Sequence, residues 1–130
     1  MTHPKPQPAV KTAVIILNDA LNPHGIYAGT KMPKTWPHGF IRVDRAGGGM
    51  RVLVTDFARI LCECYGASIG VVEDVTGLAI QALTSAEGEI FDGVFVRGFE
   101  NIEGPVNFPQ PIVPDLCRWQ FQGDLLVSTN

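Results

Sequence analysis

Charge is in short supply in this chain. Charged residues make up 18% of the 130 residues, against about 25% in an ordinary soluble domain, and no run of Lys or Arg occurs. With a formal net charge of −3, the chain lacks the clustered basic face that gripping nucleic acid requires. Cysteine is also scarce. There are three, with Cys62 and Cys64 at i and i+2, which does not make a disulfide framework. Long apolar runs are missing: Ala13 to Leu17, the longest, is far too short to cross a bilayer. The opening MTHPKPQP lacks the apolar centre of a secretory signal, so a reducing cytosol is the expected compartment.

Other absences bear on chemistry. His3, His24 and His38 lie in proline or glycine contexts that read as loops, and none is fixed beside a cysteine as its base. Gly47-Gly48-Gly49 is followed by neither Lys-Ser nor Lys-Thr and opens no helix, so it reads as a hairpin tip and not as a phosphate loop. Cys62 and Cys64 with Cys117 do not match zinc knuckles, whose ligands sit two to four residues apart in turns; they read as small buried residues. No enzyme, cofactor or metal site is expected.

What is present centres on Asp56 to Leu83. In Asp56–Tyr65 the side chains alternate, with Ala58, Ile60, Cys62 and Cys64 on one face and Phe57, Arg59, Leu61, Glu63 and Tyr65 on the other. After Gly66 the period changes: Val71, Val75, Leu78, Ala79 and Ala82 form one helical stripe. Ser68 is placed to cap this helix and Gly88 to end it. Gly77 in its middle costs about 1 kcal/mol against alanine, which predicts close contact there. The helix is expected to cover the small apolar face of the strand.

In chain order, residues 1–9 form a proline-rich arm and residues 10–130 a single domain. Val10, Ala13, Val14, Leu17 and Leu21 give a first helix, with Pro8 tolerated in its first turn and Asn22-Pro23 ending it. Ile26–Met32 reads as a short edge strand and Phe40–Arg45 as a clearer one. Residues 46–50 read as a flexible hairpin tip, leaving open whether 50–65 is one bent strand or a loop and a strand. Val94–Ile102 follows, with Val94, Val96 and Gly98 opposite Phe95, Arg97 and Phe99. Gly104–Pro114 holds four prolines and reads as an extended surface connection. Cys117–Ser128 alternates, Cys117, Trp119 and Phe121 against Arg118, Gln120 and Gln122. The order α-β-β-β-α-β-β predicts an α+β fold: a mostly antiparallel or mixed sheet with two helices on one face.

The aromatic residues Tyr65, Phe95, Phe99, Trp119 and Phe121 read as core and interface, since no basic residues interleave them for base stacking. Arg42, Arg59, Arg97 and Arg118 fall on polar strand faces within reach of Asp44 and Glu63. Such a face is either solvated or buried between subunits.

The pattern Phe40-Ile-Arg-Val-Asp-Arg-Ala-Gly-Gly-Gly49, then Thr55-Asp-Phe-Ala-Arg-Ile60 through Glu63 to Tyr65, then the amphipathic helix, Gly104-Pro105, Pro114-Asp115 and Arg118-Trp-Gln-Phe121 resembles the tail terminator proteins of long-tailed phages with non-contractile tails, especially those of actinobacteria. The resemblance spans most of the chain and carries no catalytic residue. It implies a virion protein of the tail and neck, assembled in the host bacterial cytoplasm as a homo-hexameric ring. Such a ring caps the tail tube protein, stops its polymerisation, and joins the tail to the head-tail connector. DNA passes through the lumen without specific binding, which a ring of about −18 suits better than a basic one. No membrane is involved. Physical reasoning puts the subunit or tube contacts at Arg42, Asp44, Arg59, Glu63, Arg97 and Arg118, with Gly47, Gly48, Gly49 and the arm ordering on contact. The alternatives are a head-closure or adaptor protein of the same neck, and a small ligand-binding or enzymatic α+β domain with polar residues converging in a pocket.

Overall fold

The computed structural model describes residues 8–48, 55–108 and 115–128. Helix α1 (Ala9–Leu21) is followed by a 3-10 turn, then β1 (Ile26–Gly29), β2 (Gly39–Gly48), β3 (Thr55–Gly66), helix α2 (Ile69–Ser85), β4 (Ile90–Phe91), β5 (Val94–Asn107) and β6 (Cys117–Ser128). The strands form one sheet in the order β1-β2-β3-β6-β5-β4. Among the described strands only β1 and β2 run parallel, and the other pairs are antiparallel. The fold is therefore α+β with a mixed sheet. The two-residue β4 is an addition to the expected order. No helix among the described residues is long and apolar enough to cross a membrane.

Both helices lie on one face of the sheet. Ala58, Ile60, Cys62 and Cys64 of β3 point into that layer and are wholly buried. They meet Ile41 and Val43 from β2, Phe121, Leu125 and Val127 from β6, and Val72, Val75 and Ala79 from α2. The period-2 reading of β3 thus selects the correct face. The stripes of the helices are rotated by about one position, because Ile16 and Leu83 go inward while Val10, Val14, Val71 and Leu78 are only partly covered.

Local chemistry sets the helix ends. The Pro8 carbonyl accepts from both the amide (2.9 Å) and the hydroxyl (3.0 Å) of Thr12. Ser68 is extended, and its hydroxyl accepts from the Val71 amide at 3.2 Å, satisfying a first-turn N–H. Gly88 follows at φ +85, a conformation that favours glycine. Gly77 corrects an expectation: it is exposed, and a Cβ there would have no heavy atom within 4 Å. Gly77→Ala should therefore raise the free energy of unfolding by about 1 kcal/mol in a urea titration. A loss instead would place a neighbour against this face.

A bulge in β5 overturns a second expectation. The register slips between Val96 and Gly98, which turns Phe99 inward rather than onto the face of Phe95 and Arg97. Phe99 packs edge-on against Phe121, with ring centroids 6.3 Å apart. Strand β5 also continues beyond Ile102 to Asn107, into the segment that the sequence reads as a surface connection. Of the hairpin tip, Gly47 and Gly48 end β2, whereas Gly49 and residues 50–54 lie outside the described residues, as does most of the proline arm.

Candidate functional site

The sheet face turned away from the helices carries most of the predicted polar residues, and β pairing brings them together. Arg42, Glu63 and Gln120 lie in one cross-strand row, with Tyr65 and Arg118 paired in the next. Glu63 bridges two arginines. Its Oε1 accepts from Arg42 Nη1 at 3.1 Å and its Oε2 from Arg118 Nη1 at 3.2 Å. The Glu63 and Arg118 side chains are only 13% and 16% exposed, so their attraction is weakly screened. Asp44 stands at the outer margin, 3.8 Å from Arg42 Nη2 and more than half exposed.

A second network surrounds Arg59. Its Nε donates to Gln122 Oε1 (3.2 Å), and its Nη1 donates to Asp124 Oδ1 (3.2 Å) and to the Asn101 carbonyl (2.8 Å). Its Nη2 pairs with Glu103. The Asn101 side chain in turn donates to Asp124 Oδ2 at 2.9 Å. Asn101 itself takes φ 54, which asparagine tolerates better than most residues. Arg97 joins neither network: it lies in the β5 bulge with its guanidinium over the Phe95 ring, 5.6 Å from the centroid.

Several participants escape the sequence reading. Asp124 continues the alternation already read for Arg118, Gln120 and Gln122, so the signal for it was present. Asn101 and Glu103 carried no such signal, because they reach Arg59 only through the irregular course of β5. Trp36 was also missed. It leaves a proline-bounded loop to lie against Phe40 (5.9 Å, edge-on) and Tyr65 (5.5 Å), burying Tyr65 on this otherwise polar face. Beside it, Tyr27, Pro33, Thr35, Trp36, Pro37 and Phe40 line an open cleft of about 310 Å3 at the β1 edge.

The thiols sit on the opposite, helix-facing side. Burial pushes Cys62 well above its ordinary value, with the neighbouring Cys64 adding to the rise. Burial likewise raises Cys64 from 9.0 to about 12, opposed by a hydrogen bond from Thr76. These groups stay protonated in the fold while their unfolded counterparts ionise. The stability they contribute is complete below about pH 9 and is lost as pH rises towards 12. Urea midpoints measured at pH 8 and pH 10.5 should fall further for the wild type than for Cys62→Ala/Cys64→Ala; equal falls would remove the thiols as the cause.

Among the described residues, no group of three or more His, Cys, Asp or Glu side chains is placed to hold a metal ion. No protein-family model matches the chain, and no curated protein matches it.

Proposed function

We propose that the protein is a structural ring subunit of a phage tail, a tail terminator that caps the tube and passes DNA through its lumen. The observation that carries this reading is the division of the sheet. The two helices occupy one face, while the other holds charge in two part-buried networks and ends at edges bearing exposed apolar side chains. Exposed apolar side chains at the edges, Tyr27, Met32, Val106 and Phe108 among them, flanked by a polar face whose charges are already paired, suit subunit contacts with an apolar centre and a polar rim. The sequence pattern supplies the identity of the assembly, and the acidic balance suits a lumen through which phosphates slide.

In this role the protein is a virion component of the tail and neck. It associates with further copies of itself, with the tail tube protein and with the head-tail connector, and uses no cofactor. The test is the mass of the purified protein in solution, alone and with its candidate tube protein. Rings, or rings appearing at tube ends with growth arrested, are the expected result. A monomer that leaves tube growth unchanged overturns the reading. Rings that bind the connector but ignore tubes would move the protein one layer towards the head.

A further inference from the structure

The two edges of the sheet differ in charge. Residues 20–43, which include β1 and the Trp36 loop, contain no acidic residue; Lys31 and Lys34 carry the charge of this edge, since Arg42 is already paired with Glu63 and Asp44. Residues 86–104, on the β4 and β5 side, contain Glu87, Glu89, Asp92, Glu100 and Glu103 against Arg97; Lys11 also reaches Asp92 at 3.2 Å and Arg59 pairs with Glu103, which leaves this edge acidic on balance. Each edge also exposes large apolar side chains: Tyr27 (47%) and Met32 on the first, Val106 (51%) and Phe108 on the second.

The register places these patches at the two ends of one line. A single row of paired residues crosses the sheet from Gly29 through Arg42, Glu63 and Gln120 to Val106. Tyr27 precedes Gly29 by two residues and so shares its face, the face that carries Arg42, Glu63 and the Trp36 cleft. At Val106, β5 is the outermost strand, because β4 pairs only with Val94 and Phe95. Lys31 lies two residues beyond Gly29. Glu103, opposite Gln122, is displaced from Val106 towards the same end of the row, so the basic and acidic groups fall on the same side of the line.

Neither edge is built to extend the sheet there. On β1, the Asn18 side chain takes both polar groups of Ala28, accepting from its amide at 2.8 Å and donating to its carbonyl at 3.1 Å. On β5, Pro105 has no N–H to offer. Association at these edges therefore runs through side chains.

We propose that successive copies of this chain dock edge to edge along this row. Val106 and Phe108 of one copy enter the Tyr27–Trp36–Pro37 cleft of the next, and Glu100 and Glu103 face Lys31 and Lys34. The contact is heterologous: each copy offers one edge and uses the other, so repetition gives a closed ring or a strip and not a two-fold dimer. It rests on the ring reading above, to which it adds the contacting surfaces.

The experiment uses two variants, Lys31→Glu/Lys34→Glu for the basic edge and Val106→Asp for the acidic edge, checked for fold by circular dichroism. Masses are measured by sedimentation alone and after mixing. Wild type should form assemblies larger than a dimer, each variant alone should be a monomer, and the mixture should stop at a one-to-one dimer joined by the two intact edges. A monomeric wild type at millimolar concentration, an assembly that survives either change, or a mixture that stays monomeric or grows past the dimer overturns the proposal. Assemblies that obey this pattern yet leave tube growth unaffected would keep the contact and remove the capping role. Tubes capped by an assembly indifferent to both changes would do the reverse.

Discussion

Replacing Glu63 with leucine should lower the free energy of unfolding by about 3 kcal/mol, the low end of the cost of breaking a buried ion pair. The loss comes less from the missing attraction than from what is left behind. Arg42 and Arg118 would face each other across β3 with no anion between them, and Arg118, only 16% exposed, cannot swing fully into water. Arg118 Nε is already buried without a partner. A solvated surface pair behaves differently and is worth at most about 1 kcal/mol. Urea denaturation of Glu63→Leu, Arg118→Met and the double variant separates the two cases. The double variant should cost clearly less than the two single changes together, since removing both charges leaves only Arg42, which still has Asp44 within 3.8 Å. Additive losses below 1 kcal/mol would make this face an ordinary solvated one.

That network also shows how far the sequence reaches. Where strands are regular, period-2 alternation was enough: Arg42, Arg59 and Arg118 each read as lying on the polar face of a strand within reach of Glu63, and the structure gathers them on one sheet face, whereas Arg97, read the same way, lies apart over Phe95. The capping of α2 by Ser68 and the burial of Cys62 and Cys64 were legible for similar reasons, since each depends on residues near in sequence. The reading failed where a long-range event resets the period. A bulge after Val96 inverts the faces of β5, and nothing within Val94–Ile102 announces it. The Trp36 cleft was likewise invisible, because it depends on a loop folding back over Phe40 and Tyr65 from across β1. Both features define the edges on which the docking proposal rests, so the functional surface was less legible than the core beneath it.

The bulge itself predicts the largest stability effect. Phe99 enters the core at the place where Gly123 leaves room for it: a Cβ on Gly123 would lie 2.5 Å from Phe99 Cζ and within 3.0 Å of two more ring atoms. Cross-strand fit, not backbone conformation, therefore requires glycine at this position. Gly123→Val should cost about 2 to 3 kcal/mol by displacing the ring from its contact with Phe121. Phe99→Ala should cost about 3 to 5 kcal/mol through the cavity it opens. The double variant should be no worse than Phe99→Ala alone, because valine then fills space that the ring has vacated. A coupling of at least 1 kcal/mol is expected in that cycle; strict additivity would show that the two residues do not meet. The consequence extends to the polar face. With Phe99 held inward, Glu100 turns outward, and the further register shift before Glu103, with Asn101 at φ 54, brings the Asn101 carbonyl and Glu103 over Arg59. If copies dock as proposed, either single variant should therefore weaken association of the β5 edge before it unfolds the domain, visible as a smaller assembly mass at a temperature where circular dichroism is still native.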